Sequence, residues 1–354
     1  MSVKGPYVKT RDSGVEPERS PRLESDGVTV RATAPVFVVG CPRSGTTLLY
    51  HMLLSTGGFA NYRSESNVFN LLLPKFAGLR SPADRKALLD VWLKSKLFRV
   101  SGLDRDAITA KIIGHCRSAG DFLRIVMQEI AGNQGVARWA DCTPEHLLYM
   151  REIKQQIPEA LFIHIIRDGR DVALSYVKQN WTHPFPWDRN DRLGVAGLYW
   201  EWLVRKGREH AQHLGSDYCE IRFEDLVARP QETLTHLEPF IDHELNYEHI
   251  QRTGIGSVNE PNTSFSFEAG ATFHPVERWK TKMTGEEIAS FEETAGSALT
   301  QMGYELSSQA KPAKTLHAAR MRATYLSLFG VKHWARTKTP LRRLVSLERI
   351  EIEQ

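Results

Sequence analysis

Val36-Phe37-Val38-Val39-Gly40-Cys41-Pro42-Arg43-Ser44-Gly45-Thr46-Thr47-Leu48-Leu49 passes from an apolar strand, through a glycine-bounded loop, into a helix. Gly40 and Gly45 let the backbone turn tightly enough to aim several N–H groups at one cluster of anionic oxygens. The hydroxyls of Ser44, Thr46 and Thr47 can donate to the same oxygens. The positive end of the helix that begins near Thr46 adds to the field there. The string therefore predicts a phosphate or sulfate cradle at the end of a strand. The alternative is a plain glycine turn with incidental hydroxyls.

Gly40 and Gly45 keep the separation of a Walker A loop, but the lysine is missing. Thr46-Thr47 stands where a nucleotide-hydrolysing loop carries Lys followed by Ser or Thr, and Arg43 is the only cation inside. Such a loop can hold an anion without the usual γ-phosphate lysine, and nothing in it requires a metal.

A second string repeats the pattern. Leu161-Phe162-Ile163-His164-Ile165-Ile166-Arg167-Asp168-Gly169-Arg170-Asp171-Val172-Ala173-Leu174-Ser175-Tyr176 reads as an apolar strand, a polar turn and the start of an amphipathic helix. Arg167 ends the strand and Ser175 lies two turns into the helix, so both can face one crevice at the carboxyl edge of a parallel sheet. That pairing suits a second phosphate. Without a ligand, Arg167 and Arg170 could be surface partners of Asp168 and Asp171, a reading that suits Arg170 better than Arg167.

Pro42 to Leu49 resembles the 5′-phosphosulfate loop of sulfotransferases that use 3′-phosphoadenosine 5′-phosphosulfate (PAPS), where Pro, Arg or Lys, Ser, Gly, Thr, Thr is the usual order. The resemblance implies that Arg167 and Ser175 bind the cofactor's 3′-phosphate. Looser similarities are Arg138 to His146, which sits where relatives have a Lys-Thr-Pro type string, and Phe223-Glu224-Asp225-Leu226. Arg278-Trp279-Lys280 is similar to a cofactor-closing segment, and Glu286 to Gly303 to the last helix of the fold. The likeness thus spans about residues 35 to 306. One departure is Cys142, where relatives often carry a lysine that helps neutralise the transferring group. Arg43, Arg278, Lys280 or backbone donors must then supply that charge.

The expected fold is α/β, a single P-loop NTPase-like domain with a mostly parallel central sheet flanked by helices on both faces. Tyr218 to Phe223 reads as a third strand, followed by a helix from about Pro230 to Ile241. Ser81 to Phe98 and Asp121 to Ala131 read as helices. At 354 residues and 41% hydrophobic content, the chain can bury a sizeable core, and no apolar run reaches the roughly 20 residues a bilayer span needs. Residues 1–31 form a polar, partly disordered arm without the apolar core of a secretory signal, and 32–306 form the sulfotransferase domain. The four cysteines, Cys41, Cys116, Cys142 and Cys219, lack metal-ligand spacing and suit reduced thiols in a cytoplasm. Because many animal members are membrane-anchored in the Golgi, the resemblance points to a cytoplasmic, bacterial-type member.

The net charge of +4 does not suggest nucleic-acid binding. Residues 307–354 form a basic, amphipathic extension, with Lys311, Lys314, Arg320, Arg322, Lys332, Arg336, Lys338, Arg342, Arg343 and Arg349 among apolar residues, and Glu348, Glu351 and Glu353 near its end. It could touch anionic lipid, cover an acceptor site or dock on a second subunit as a homodimer; the alternative is a helix packing its apolar side on its own domain.

Sulfuryl transfer by in-line displacement to an acceptor hydroxyl or amine needs a base on one side and cations on the other. The resemblance makes Glu65, in Arg63-Ser64-Glu65-Ser66-Asn67, the general base, the more so if burial raises its pKa; a helix-capping or surface role is the alternative. His51, His115 and His146 are reserve bases. Arg43 with Ser44, Gly45, Thr46 and Thr47 takes the phosphosulfate, Arg167 and Ser175 the 3′-phosphate, and Arg278 a cofactor phosphate braced by Trp279. Trp181, Phe185, Trp187, Tyr199, Trp200 and Trp202 either border an apolar acceptor pocket or, for Tyr199 and Trp202, form the inner face of a core helix. The acceptor would be a small molecule, a lipid or a carbohydrate. A P-loop kinase using ATP and Mg²⁺, or a catalytically silent nucleotide-binding scaffold, are the competing readings.

Overall fold

The computed structural model describes residues 30–76, 79, 81–253, 274–307, 315–348 and 350. Four strands, β1 (Val36–Gly40), β2 (Ala140–Asp141), β3 (Leu161–Ile166) and β4 (Tyr218–Arg222), pair in parallel in the order β2-β1-β3-β4. Val36 aligns with Ala140 on one side and Leu161 on the other, and Ile163 with Cys219.

Both faces of this sheet are covered, which is why its central strands are apolar apart from His164. Phe37, Val39, Phe162 and Ile166 enter one core; Val36, Val38, Leu161, Ile163 and Ile165 enter the other. The second core is closed by α1 (Thr46–Ser55) and the helix Pro230–Ile241. The first is closed by α2 (Ala119–Asn133), α4 (Arg192–Ala211) and α5 (Gly285–Gln301), with α3 (Gly169–Lys178) following β3. At Gly40 the neighbouring strand comes so close that a Cβ would lie 2.6 Å from the Ile165 carbonyl oxygen. The α/β class with a parallel sheet flanked by helices is thus as expected, with three local corrections. Tyr218–Arg222 is the fourth strand in the chain, because the two-residue β2 is too short to show a period. Phe223 already belongs to the next helix, Phe223–Ala228. Ser81 to Phe98 is two helices, Pro82–Trp92 and Lys96–Ser101, because Ser95 goes extended and its hydroxyl donates to the Trp92 carbonyl at 2.6 Å.

Helix α6 (Leu316–Lys338) packs on α4 and α5. Two of its arginines are partnered: Arg322 forks onto both carboxylate oxygens of fully buried Glu201, each at 2.7 Å, and Arg320 donates to Asp188 at 2.6 Å. Val331 and Trp334 of α6, with Leu341 and Leu344 beyond it, stay exposed. Residues 1–29 of the polar arm, and Lys311, Lys314, Arg349, Glu351 and Glu353 of the tail, lie outside the described residues. Among the described residues, no helix is long and apolar enough to cross a membrane.

His164, buried within β3, sets a pH dependence. Its Nδ1 donates to the Tyr218 hydroxyl at 2.6 Å, which in turn donates to Glu220 at 3.0 Å, while Nε2 has no partner among the described residues. Protonation would bury an unpaired N–H⁺, so burial pushes the pKa down to about 4. The unfolded chain, with its ordinary value near 6.5, binds more protons between those limits. Stability from this group is complete above about pH 6.5 and declines, by on the order of 3 kcal/mol at most, as pH falls to about 4. Urea titrations at pH 7 and 4.5 should show this loss, and His164→Gln should reduce the difference.

Candidate functional site

The loop after β1 carries two left-handed residues, Arg43 (φ 74°) and Gly45 (φ 96°). A non-glycine there costs about 1–2 kcal/mol, which the packing around it must offset. The conformation leads directly into α1, whose first residue is Thr46. Gly45 is doubly constrained, since a Cβ would also overlap the Phe223 ring. Gly45→Ala is therefore expected to destabilise the fold by about 2–4 kcal/mol in urea unfolding, from backbone strain plus overpacking. A loss of only about 1–2 kcal/mol would mean that the ring yields and the backbone strain alone remains.

The two anion motifs meet. Arg43 Nε donates to Ser175 Oγ at 2.8 Å. Arg167, 1% exposed, donates to the Arg43 carbonyl at 2.9 Å and the Pro275 carbonyl at 2.5 Å, and its guanidinium stacks 4.6 Å from the Phe223 ring. Burial lowers the pKa of Arg43 and of Arg167, and the positive charge of Arg278 lowers both further. Asp171 Oδ2, 3.7 Å from Arg167, offsets part of that repulsion. Two buried donors here, Ser44 Oγ and Arg167 Nε, have no hydrogen-bond partner among the described residues, and neither has the acceptor Asp171 Oδ2. Unmet donors beside crowded guanidinium groups fit a doubly anionic ligand.

The segment that carries Arg278 is pinned to α3, because the Trp279 backbone N–H donates to Asp171 at 2.9 Å. The Trp279 ring lies 3.6 Å from the Arg170 guanidinium. Arg170 is not the surface residue expected: it does pair with Asp168, but it is 2% exposed and also donates to buried Glu292 at 2.7 Å. Lys280 is exposed and paired with Glu277 at 2.6 Å. Thr47 sits half-buried in the first turn of α1.

Glu65 is exposed rather than buried. Its charge nevertheless reaches the loop: Cys142, buried and hydrogen-bonded to the Thr46 side chain, has its thiol pKa raised by burial and then by the carboxylates of Glu65 and Asp141. Of the reserve bases, His146 is occupied, with Nδ1 2.9 Å from Asp141 and Nε2 accepting from the Phe69 backbone N–H at 3.2 Å. His115 is exposed near the end of the helix Arg105–His115, and His51 lies within α1. The aromatic cluster divides: Trp200 is core, its indole donating to the Arg167 carbonyl at 3.0 Å, whereas Trp181 lies 5.9 Å from the Arg43 guanidinium. All four cysteines are free thiols.

Sequence reasoning missed Asn67 and Asn70, which link Glu65 to Glu145. Asn67 donates to the Glu65 carbonyl at 3.1 Å, and Asn70 donates to Asn67 and to Glu145, each at 3.0 Å. A single π-helical turn, Val68–Leu72, places them, and isolated π-turns have no periodic signature.

Comparison with known proteins agrees with this geometry. The chain is 22% identical over 290 residues to protein-tyrosine sulfotransferase A of Caenorhabditis elegans, covering 80% of this chain and 70% of that one. It is 22% identical over 312 residues to the nodulation protein NoeE of Sinorhizobium fredii, covering 77% and 66%. The fold is similar to the sulfotransferase domain of the Synechococcus olefin synthase, with TM-score 0.53 and 18% identity over 77% of this chain and 96% of that one. The Sulfotransferase family profile matches residues 35–247, ending before Arg278 and short of the 306 expected. Both anion motifs and all four strands lie within that match, and the chain belongs to the sulfotransferase family.

Proposed function

We propose that this sulfotransferase takes its sulfuryl group from PAPS, with Arg43 and the Ser44–Thr47 turn on the 5′-phosphosulfate and Arg167 and Ser175 on the 3′-phosphate. The observation that carries this reading is the 2.8 Å bond from Arg43 to Ser175, which joins two anion-binding motifs in one crevice. When bound, PAPS supplies the sulfuryl group that an acceptor hydroxyl or amine attacks in line with the departing bridging oxygen. Glu65 takes the acceptor's proton on the side of the loop that Thr46 and Cys142 face. Arg43, Arg278 and the N-terminus of α1 hold the negative charge opposite, so the proposal includes no metal. The acceptor is a small molecule, a lipid or a carbohydrate; a tyrosine phenol, the acceptor in the nematode relative's name, meets the same chemical requirement. We place the reaction in the cytoplasm, where four free thiols stay reduced.

Metal-free calorimetry on the full chain tests this. Adenosine 3′,5′-bisphosphate should bind at least about tenfold more tightly than AMP, as loss of a charge-assisted phosphate contact implies. Binding of ATP alone, and only with Mg²⁺, would favour phosphoryl transfer instead. No nucleotide binding would leave a silent scaffold.

A further inference from the structure

A cavity of about 120 Å³ lies between α4 and α6, linked to Glu65 through Asn70 and Asn67. Asn70, Glu145, Lys332 and Arg336 form its polar part; Tyr199 and Trp202 from α4, with Phe329 and His333 from α6, form its aromatic part. The volume is close to the ~150 Å³ of a protein cavity that takes one benzene, so a single ring is the natural occupant.

At Asn70 the cavity offers an acceptor, beside the two donor side chains Lys332 and Arg336. Both Nδ2 protons of Asn70 are used, on Asn67 Oδ1 and Glu145 Oε2. Because Asn67 spends its own Nδ2 on the Glu65 carbonyl, both neighbours of Asn70 are acceptors, and the amide orientation is fixed. This leaves Asn70 Oδ1, on a side chain 2% exposed, with no partner among the described residues. A buried carbonyl in that state forgoes a hydrogen bond that a ligand hydroxyl would restore.

The aromatic part is uncharged at neutral pH, because burial pushes the His333 pKa down to about 4. Tyr199 and Trp202 stack at 5.8 Å, and Phe329 packs edge-on to Tyr199 at 5.1 Å. One side chain separates the cavity from the anion loop: the Tyr176 ring is 5.7 Å from Tyr199, and its hydroxyl is 3.8 Å from Cys41 Sγ.

We propose that this cavity holds a hydroxyl-bearing ring of the acceptor, which donates to Asn70 Oδ1 and lies against Phe329 and Tyr199. Helix α6, beyond the family match, then acts as a specificity element rather than an appendage. The proposal rests on the sulfotransferase site above. The ring is either a phenol or a sugar, since both present a hydroxyl donor on a ring with an apolar face.

Saturation-transfer NMR on the full chain, with phenol and with methyl α-glucopyranoside as separate probes, decides it. One probe should receive saturation, and Phe329→Ala and Asn70→Ser should each cut the transfer at least about threefold, as loss of one ring contact or one hydrogen bond implies. Adenosine 3′,5′-bisphosphate affinity should stay within about twofold in both variants, because neither residue touches the anion loop. Transfer to phenol identifies a phenolic acceptor, and transfer to the glucoside a glycosyl one. No transfer to either probe, or transfer unchanged in both variants, overturns the proposal even when the nucleotide binds. Should Asn70→Ser fail to fold, half-buried Phe329 on α6 decides alone. Failure of the wild type to bind nucleotide would strike the donor assignment instead.

Discussion

Arg167→Ala is expected to weaken adenosine 3′,5′-bisphosphate binding about 100-fold or more, near 2.7 kcal/mol, while AMP affinity falls much less. Two losses combine. The variant deletes a guanidinium whose Nε is still without a partner among the described residues, and it removes the link between the Arg43 and Pro275 carbonyls. Lysine should not restore binding, because a point charge cannot serve both carbonyls and the ligand at once. Calorimetry of wild type, Arg167→Ala and Arg167→Lys with both nucleotides checks this. Equal losses for the two nucleotides would show that Arg167 is only structural and would remove the 3′-phosphate assignment.

The second large effect is on turnover. Glu65→Gln keeps size and polarity but cannot take a proton, so kcat should fall about 10²- to 10⁴-fold once an acceptor is in hand. Nucleotide affinity should hold, because the proposed mechanism puts the exposed Glu65 side chain on the acceptor and not on the nucleotide. A fall in kcat below about tenfold would move the base elsewhere. His51 would then be the leading reserve, since His146 is fully buried, with Nε2 taken by the Phe69 N–H and Nδ1 2.9 Å from Asp141.

The parts legible in the sequence are those written in local patterns. Val36 to Val39 and Leu161 to Ile166 are buried on both faces, so their apolar runs announced central strands of a parallel sheet. The order of glycines and hydroxyls from Gly40 to Thr47 announced the tight turn from β1 into α1. Long-range partnering was not legible. Arg320 and Arg322 read as part of a basic run, yet their meaning comes from Asp188 and Glu201, more than a hundred residues earlier. Arg170 read as a surface residue for the same reason, with Glu292 as its distant partner. The Asn67 and Asn70 link was hidden because a π-turn shifts the register by one residue without leaving a motif.

The sheet order also has a consequence for how the chain is made. β1 lies between β2 and β3, and its first pairing partner, Ala140, comes 104 positions after Val36. At about 5–20 residues per second, β1 leaves the ribosome on the order of 5–20 s before anything can pair with it. During that interval Val36-Phe37-Val38-Val39 is an unpaired apolar edge, open to intermolecular pairing. Soluble yield in a heterologous host should therefore depend on synthesis rate and chaperone supply more than on the stability of the finished domain.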